Sequence, residues 1–503
     1  MDLSDAYAQL VADFPAIFSM TLVAVVGLVI VLVDAFRNND PSIPWMAGTA
    51  VAAAMVWEGF MLGSETGSAF FGAVRTGGFA AFVNLMILGS ALVSIFFTVP
   101  YLKRIGRNYG EIYALLLFAT AGMIMLGTAN NLISVFIGLE TMSICLYIFT
   151  GFIREDPGHV EAALKYFLLG AFATGFFLYG IALIYGATGT IYLPEIAAGL
   201  AETGSELLFW GGVGLLLVGF LFKVSAAPFH MWTPDVYQGA PTALVAYMST
   251  ATKAAVFAAI VLVLYFALPV DAVSVERWTT VMAVIAVITM MVGNIIALAQ
   301  TNVKRLLAYS WIAHAGYVFV GLAAGTAAGY AGVMYYLLVY SVMNIGAFGV
   351  MVFLEWDGKE GRVQTLNSLA GIGYRRPVLG TTMGFFMFSL TGLPPLAGFT
   401  GKYFVFAPAV DAGLTWLVIV AVLASIISAY YYLRVVYVFW MESPEEVPEA
   451  QEVQDHAFPV PLTAKAALVA CAVGLLVLFV FAGSIMGFTG TMFEEAAQMA
   501  AMP

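Results

Sequence analysis

The 503-residue chain has few charged side chains. Only 10% of its residues are Asp, Glu, Lys or Arg, whereas soluble globular chains contain about 25%. The chain is 62% hydrophobic and has a mean hydropathy of +0.96. This composition excludes an ordinary soluble protein and predicts a polytopic membrane protein. The net charge of −11 argues against nucleic-acid binding.

Cysteines and cofactor motifs are also scarce. The two cysteines, Cys145 and Cys471, lie in separate apolar runs and form no CxxC or Cys/His cluster. Iron–sulfur clusters, attached haem and structural zinc are therefore unsupported. The sequence also has no Walker A loop and no dinucleotide fingerprint. We expect this chain to hold no cofactor or metal and to use neither ATP nor NADH directly.

What the chain does contain is a series of apolar runs long enough to cross a bilayer. The predicted segments are 15–36, 43–63, 78–99, 110–128, 131–153, 161–187, 206–233, 241–268, 278–298, 306–324, 328–354, 377–409, 413–440 and 461–488. The twelfth contains GLPPLAGFTGK and is predicted to be a broken helix. The predicted fold class is an all-α polytopic membrane protein with about fourteen transmembrane helices.

Basic residues are distributed unequally between the predicted loops. With the N-terminus outside, only Arg75 and Arg277 fall in outside loops. The inside loops then hold Arg37, Lys103, Arg104, Arg107, Arg154, Lys304, Arg305, Lys359, Arg362, Arg375 and Arg376. This asymmetry follows the positive-inside rule and predicts that both termini lie outside. The acidic loop 442–456 then lies inside, where Asp and Glu contribute little to the rule.

A faint internal repeat links the seventh and twelfth segments. At a constant offset, the matched pairs are Phe220 with Phe386, Phe222 with Phe388, and Pro228 with Pro394. Because five crossings separate the two segments, the copies run in opposite directions, as in an inverted-topology repeat. The predicted helix breaks are Pro228, Pro234, Pro394 and Pro395. Paired interruptions of this kind point to a transport site.

Five ionisable residues stand in predicted apolar segments. We call them the relay residues, after the proton relay that they predict: Glu140, Lys223, Lys253, His314 and Lys402. A lysine at a helix centre costs roughly 2.5 to 3.5 kcal/mol to insert, so it normally faces a cavity or a partner. Singly, each is also compatible with a helix–helix hydrogen bond or, for Lys223, with snorkelling. Together they favour a proton relay, in which Glu140 and Lys223 form a pair of opposite charge on different segments.

Two further residues are accessory candidates. His230 follows Pro228 closely and is of the residue type that changes charge nearest neutral pH. Bonding to the broken backbone is an equally good interpretation of His230. Lys165 follows Glu161 by one turn, which is also the spacing of an ordinary structural helix pair.

Several stretches resemble a known family. FKVSAAPFHMWTPDVYQGAPT resembles the signature of the antiporter-like subunits of respiratory complex I and of multisubunit sodium/proton antiporters. Four stretches are similar to the subunit N family of NADH-quinone oxidoreductase: NNLISVFIGLETMSICLYIFTGF, EAALKYFLLGAFATGFFLYGIALIYGATGT, NVKRLLAYSWIAHAGYVFVGL and SLTGLPPLAGFTGKYFVF. The resemblance covers about residues 100 to 440.

The resemblance implies a domain organisation and a proton path. It implies two inverted five-helix repeats, each with a broken helix. The predicted regions are an N-terminal three-helix region (1–109), a first repeat (110–268), a second repeat (269–440), and an acidic inside loop with a C-terminal helix (441–503). The five relay residues would form the path, with Lys165 and His230 as accessory groups.

The resemblance also implies a function. The chain would be a proton-translocating subunit of NADH:quinone oxidoreductase in a bacterial inner membrane. NADH, FMN, iron–sulfur clusters and quinone would belong to partner subunits, and the partners would be other membrane and peripheral subunits together with membrane lipids. Three alternatives stay open: a subunit of a sodium/proton antiporter without a redox partner, a stand-alone solute transporter with a substrate-sized polar pocket, and a structural scaffold. A scaffold would not explain five buried ionisable groups.

Overall fold

The computed structural model describes residues 3–37, 40–106, 109–358, 361–363, 365–444, 447, 450 and 459–500. The helices are α1 (Leu3–Asp13), α2 (Phe18–Arg37), α3 (Ile43–Met61), α4 (Gly78–Arg104), α5 (Gly110–Gly127), α6 (Leu132–Thr150), α7 (Pro157–Thr188), α8 (Leu193–Thr203), α9 (Glu206–Val224), α10 (Trp232–Gly239), α11 (Thr242–Met248), α12 (Ala251–Phe266), α13 (Ala272–Leu298), α14 (Val303–Ala323), α15 (Ala327–Leu354), α16 (Ile372–Arg375), α17 (Pro377–Thr391), α18 (Ala397–Asp411), α19 (Thr415–Trp440), α20 (Leu462–Val480) and α21 (Ala482–Ala500). Two antiparallel hairpins pair β1 (Gly67–Ala69) with β2 (Val74–Thr76) and β3 (Trp356–Gly358) with β4 (Gly361–Val363).

The predicted all-α polytopic fold is confirmed. Twelve of the predicted segments coincide with helices, or a joined helix pair, that are long and apolar enough to cross a membrane. The remaining two are also helical, since 43–63 corresponds to α3 and 377–409 divides into α17 and α18. Helix α1, the separate helix α21 and the hairpins were not predicted, because short or mixed segments produce no long apolar run.

Both broken helices end in the same way. Helix α9 stops before Ser225 (φ 65°), and helix α17 stops before Gly392 (φ 90°), each in the left-handed region. The amide that follows each of these residues donates to a carbonyl of the last helical turn: Ala226 N donates to Leu221 O at 2.9 Å, and Leu393 N donates to Phe388 O at 3.1 Å. This is the Schellman type of helix ending. We call residues 225–231 the first break and residues 392–396 the second break.

The helix ends correct the predicted repeat alignment by one residue. The equivalence of Ser225 with Gly392 pairs Pro228 with Pro395, whereas the sequence match paired Pro228 with Pro394. An alignment by residue type does not detect a shift of one residue when both segments are apolar throughout. The position where the backbone leaves the helix has no such ambiguity.

Pro234 is not a helix break, contrary to the prediction. It is the third residue of α10, in the first turn, where backbone amides have no intrahelical acceptor. A proline is tolerated there because it removes no helix hydrogen bond. Pro228 lies in the first break, and Pro394 and Pro395 lie in the second.

Contacts between helix ends define one side of the bundle. Arg305 at the start of α14 pairs with Asp235 of α10 at 2.7 Å, and Asp235 also pairs with Lys165 of α7 at 2.9 Å. At the end of α4, Arg104 donates to the carbonyl of Val352 near the end of α15 at 3.3 Å. We call this end of the bundle the basic side.

Several basic residues that were assigned to loops have other positions. Lys304 and Arg305 belong to α14, and Lys304 is fully buried. Arg75 is buried in β2, with its guanidinium 3.7 Å from the centre of the Phe266 ring. Arg107, Lys359 and most of the acidic loop 442–456 lie outside the described residues.

Glycines allow very close packing in two pairs of helices, α5 with α6 and α13 with α14. A Cβ atom on Gly122 of α5 or on Gly138 of α6 would lie 2.7 Å from a backbone nitrogen of the facing helix. A Cβ atom on Gly316 of α14 would lie 2.6 Å from the backbone nitrogen of Met290 on α13. Small residues let membrane helices approach this closely. Because Gly138 lies two residues before Glu140, its contact fixes the position of Glu140 in the bundle.

Candidate functional site

Lys223 and Glu140 face each other between α9 and α6. Their closest nitrogen and oxygen atoms are 3.9 Å apart, and the Lys223 side chain is 2% exposed. Lys223 Nζ donates hydrogen bonds to Ser143 Oγ at 2.7 Å and to Tyr147 OH at 3.0 Å. At 3.9 Å the carboxylate attracts the ammonium without a direct hydrogen bond. A small movement of either side chain would therefore change the strength of the pair.

A hydroxyl holds Glu140 in this position. Thr174 of α7 donates a hydrogen bond from Oγ1 to Glu140 Oε1 at 2.7 Å. The same oxygen is the one nearest Lys223. Glu140 is 25% exposed, so the carboxylate lies at the edge of the buried site, with Lys223 deeper inside.

Three side chains donate hydrogen bonds to the last carbonyls of α9, at the first break. Trp232 Nε1 donates to Phe222 O at 2.9 Å, and Trp311 Nε1 donates to Val224 O at 2.8 Å. Lys253 Nζ donates to the carbonyl between them, that of Lys223, at 2.9 Å. Unpaired carbonyls are costly in a membrane interior, so these contacts stabilise the break.

Lys253 lies in the first turn of α12, directly after the interruption between α11 and α12. Its second hydrogen bond goes to Ser225 Oγ at 3.0 Å. The ammonium also lies 5.1 Å from the centre of the Trp232 ring and 5.2 Å from that of Trp311. At these distances the indole faces stabilise a buried cation.

Lys402 has a similar relation to the second break. From α18, its Nζ donates to the carbonyl of Thr391, the last residue of α17, at 2.8 Å. It also donates to Ser425 Oγ at 2.6 Å and lies 5.1 Å from the centre of the Tyr317 ring. At each of the two breaks, therefore, a buried lysine bonds the end of the helix that stops there.

His314 is fully buried among tyrosines in the middle of α14. Its Nε2 lies 2.9 Å from Tyr432 OH, and its Nδ1 bonds Tyr336 OH. The centre of its ring is 5.5 Å from that of Tyr317, the ring over which Lys402 lies. Both imidazole nitrogens thus have a hydroxyl partner that can donate or accept.

The two accessory candidates differ in their surroundings. Lys165 pairs with Glu161 at 2.7 Å and with Asp235 at 2.9 Å, so it ties α7 to α10 on the basic side. His230 is partly buried in the first break, beside exposed Pro228. Among the described contacts, His230 has none with the five relay residues.

The structure brings the relay residues into two groups. Glu140, Lys223 and Lys253 are linked directly by the contacts at the first break. His314 and Lys402 approach each other through Tyr317. The described residues show no direct hydrogen bond between Lys253 and His314.

Several polar partners were missed by reasoning from the sequence. Ser143 and Tyr147 follow Glu140 by about one and two turns on α6, so helical spacing was the signal that could have identified them. Thr174 and Ser425 come from other helices, and nothing in a single sequence connects them with Glu140 or Lys402. The buried pair of Lys304 and Glu355 was also missed, because both residues lie at segment ends that resemble loops.

The chain is similar over most of its length to one known family and its members. A family model described as "NADH:quinone oxidoreductase/Mrp antiporter, TM" matches residues 129–428. NADH-quinone oxidoreductase subunit N of Salinibacter ruber is 63% identical over 503 residues and is covered fully, as is this chain. The chain belongs to the NADH-quinone oxidoreductase subunit N family.

Other subunit N sequences and solved structures extend this result. Subunit N of Trichlorobacter lovleyi is 44% identical over 456 residues, covering 89% of this chain and 91% of that protein. A chain in the structure of respiratory complex I from Thermus thermophilus with bound aureothin has a TM-score of 0.79 and 36% identity, covering 93% of this chain and 98% of that chain. A chain of the Mrp complex from Dietzia sp. has a TM-score of 0.80 at 21% identity, covering 95% and 97%, and shows the fold alone.

The ionisable side chains that the structure describes in this subunit N family member do not form a metal site. Within the described residues, no group of three or more His, Cys, Asp or Glu side chains is placed to hold a metal ion. The ionisable residues gathered at the two breaks are mostly lysines, whose ammonium groups carry protons and do not bind metals.

Proposed function

We propose that this chain is a proton-translocating subunit of NADH:quinone oxidoreductase and that its five relay residues carry the protons. The observation that carries this proposal is that three of the five relay residues meet at the first break. Glu140 lies 3.9 Å from Lys223, and the carbonyl of Lys223 accepts a hydrogen bond from Lys253. Buried, hydrogen-bonded ionisable groups in a membrane interior are typical of proton pathways.

In this proposal, Lys223 loads and releases a proton as its distance from Glu140 changes. A nearby carboxylate stabilises the protonated ammonium, and burial opposes it. The hydroxyls of Ser143 and Tyr147 hold Lys223 when the carboxylate is not within hydrogen-bond distance. Lys253, His314 and Lys402 would pass the proton onward, with Lys165 and His230 as accessory groups.

The energy and the redox chemistry would come from partner subunits. Relatives of this chain are named as subunits of NADH-quinone oxidoreductase, and a similar chain occurs in a respiratory complex I structure. We place NADH, FMN, the iron–sulfur clusters and quinone in those other subunits. Membrane lipids would surround the exposed apolar helix faces. The chain would thus act as part of a translocase without a redox centre of its own.

We also propose an orientation and a division into repeats. The basic side would face the inside of a bacterial inner membrane, with both termini outside, because basic residues favour the inner side. The matching helix ends at Ser225 and Gly392 support two inverted repeats over about 110–268 and 269–440. The region before residue 110 and the residues from 441 onward would flank these repeats.

The first test is proton uptake into inverted membrane vesicles, driven by NADH, in the wild type and in Lys223→Ala. Complex content is matched between samples, and NADH oxidation is recorded in parallel. We expect the variant to take up fewer protons per NADH, because loss of a positioned proton-transfer group slows its step by roughly 10²-fold or more. The matched control is Lys465→Ala, which removes an exposed lysine on α20.

Each result has a defined meaning. A lower uptake per NADH in Lys223→Ala, with Lys465→Ala at the wild-type value, supports the proposal. Wild-type uptake and wild-type NADH oxidation in Lys223→Ala would contradict it. A sodium-dependent proton exchange that needs Lys223 but no NADH would instead favour the antiporter alternative.

A further inference from the structure

A second buried ion pair lies apart from the relay residues, at the basic side. Lys304 at the start of α14 and Glu355 at the end of α15 are 3.8 Å apart, and both are buried. Thr242 lies between them, accepting a hydrogen bond from Lys304 Nζ at 2.9 Å and donating one to Glu355 Oε2. Lys304 Nζ also donates to the carbonyl of Ala240 at 2.8 Å.

The burial of this pair is not explained by stability. A buried ion pair gains little over apolar side chains of the same shape, because both charges lose their hydration. The pair also lies where the two proposed repeats meet. Thr242 on α11 belongs to the first repeat, whereas Lys304 at the start of α14 and Glu355 at the end of α15 belong to the second. A buried carboxylate at the end of a membrane helix is a candidate for proton uptake.

One face of α15 carries Glu355 at its end and a series of polar side chains deeper in the bundle. Tyr336, Tyr340 and Asn344 follow each other at four-residue spacing, and Glu355 comes three turns after Asn344. Along the helix, Asn344 and Glu355 are about 16 Å apart. Tyr336 bonds His314, so this face of α15 reaches from the basic side to the relay.

The same region holds buried oxygen atoms that lack partners. Among the described residues, the following make no hydrogen bond: Thr233 Oγ1, Tyr237 OH, Tyr340 OH and Asn344 Oδ1. Thr233 and Tyr237 are one turn apart on α10, and the Tyr237 ring lies 5.9 Å from that of Phe348 on α15. Buried polar groups normally have partners, and internal water supplies them where side chains do not.

This region meets the relay at the gap between its two groups. The centre of the Tyr340 ring is 5.2 Å from that of His314 and 4.7 Å from that of Trp311. The Trp311 ring in turn lies beneath Lys253. Asn344 Nδ2 donates to Ser249 Oγ at 2.7 Å, four residues before Lys253.

From this arrangement we propose that Glu355 is a proton-accepting residue and that a hydrated inlet track carries protons from it to Lys253 and His314. The track is lined by Thr233, Tyr237, Tyr340 and Asn344. This inference rests on the proposed function and adds to it a place where protons leave the water on the basic side.

The transfer needs no electron donor or acceptor. Glu355 takes a proton from water on the basic side, forming a carboxyl O–H bond. It then passes this proton to a water molecule of the track, which gives up one of its own to the next group. The last water protonates whichever of Lys253 and His314 is then without its proton. Lys304 stabilises the carboxylate each time it is regenerated.

The test uses the complete complex in inverted vesicles and measures protons taken up per NADH oxidised. The variants are Glu355→Gln, which keeps the shape but cannot ionise, and Tyr340→Phe and Tyr237→Phe, which each remove one hydroxyl. The control is Tyr335→Phe, on the same helix. The Tyr335 hydroxyl bonds Thr400 and the Leu478 carbonyl and does not line the track. Glu355→Asp tests for rescue by a second carboxylate.

We expect Glu355→Gln and Tyr340→Phe to lose uptake per NADH, while Glu355→Asp retains more than Glu355→Gln and Tyr335→Phe matches the wild type. If Lys223→Ala lowers the ratio but Glu355→Gln and both track variants do not, the inlet is overturned and the proposed function stands. If Lys223→Ala also leaves the ratio unchanged, the proposed function fails. Should Glu355→Gln not assemble, wild-type ratios in Tyr340→Phe and Tyr237→Phe would overturn the inlet.

Discussion

The ammonium of Lys253 donates a hydrogen bond to the backbone carbonyl of Lys223, at 2.9 Å across the first break. Two relay lysines are thus joined through the backbone of one of them. The side chain of Lys223 faces Glu140, Ser143 and Tyr147, while its carbonyl holds Lys253. A movement of the broken helix would therefore change the surroundings of both ammonium groups at once.

This relationship predicts a double effect for Lys253→Met. The variant leaves the carbonyl of Lys223 without its donor, which costs about 1–3 kcal/mol in a buried site. We expect a lower thermal stability of the purified complex and fewer protons taken up per NADH in inverted vesicles. The control Lys465→Met removes an exposed lysine and should change neither quantity. Unchanged stability would show that another donor replaces Lys253 at this carbonyl.

The contact of α5 with α6 predicts that Gly138 does not tolerate a larger residue. A Cβ atom there would lie 2.7 Å from Leu126 N and 2.8 Å from Gly122 O, and these backbone atoms cannot rotate away. We expect Gly138→Val to destabilise the subunit by roughly 1–3 kcal/mol through overpacking and to displace Glu140. Thermal inactivation of NADH-driven proton uptake measures this loss.

Gly175 provides the matched control for that substitution. A Cβ atom at Gly175 of α7 would meet no heavy atom within 4 Å. Gly175→Val should therefore leave the inactivation temperature near that of the wild type. Equal effects of the two substitutions would mean that helix propensity, rather than the α5–α6 contact, determines the loss.

Asp235 predicts an acid-dependent contribution to stability. Partial burial opposes its ionisation, but hydrogen bonds from Arg305 and Lys165 outweigh burial and hold its pKa below the ordinary value of 3.8. Since the folded pKa lies below the unfolded one, the stabilisation is present above the unfolded value and is lost as the pH falls through the folded value. We expect Asp235→Asn to lower the melting temperature at neutral pH, by an amount that shrinks as the pH falls below about 4.

A pH series of melting temperatures from neutral to acidic conditions measures this difference. The comparison variant is Glu161→Gln, which removes the other partner of Lys165, a side chain that is 67% exposed. Because exposed ion pairs contribute little, that variant should differ from the wild type only slightly. A difference between wild type and Asp235→Asn that stays constant with pH would show that the carboxylate charge is not what stabilises α10.

Much of the architecture was predictable because its signals are local. A bilayer requires apolar runs of sufficient length, and a proline pair such as Pro394 and Pro395 cannot continue a helix. The pairing of Glu140 with Lys223 was predictable for a related reason, since isolated charges in apolar segments need partners. Pro234 was interpreted wrongly, because a proline in a first helical turn and a proline that ends a helix have the same local sequence signal.

The relay's detailed contacts were not predictable in this way. Thr174 reaches Glu140 from another helix, and Tyr432 reaches His314 across more than one hundred residues of chain. The burial of Lys304 beside Glu355 depends on how the start of α14 and the end of α15 pack against α11. Such contacts are set by helix packing, which a single sequence specifies only through the sum of many weak preferences.

By itself, the sequence determined that the chain crosses a membrane many times, that two of its helices are broken, and that five ionisable residues lie in apolar surroundings. These features follow from the cost of placing charge and unpaired backbone in hydrocarbon, which acts on each segment separately. Only the tertiary structure decided which groups meet: Lys253 with the carbonyl of Lys223, Lys402 with that of Thr391, and Lys304 with Glu355. The reason is that these contacts join helices distant in the chain, and their distances exist only after the helices have packed.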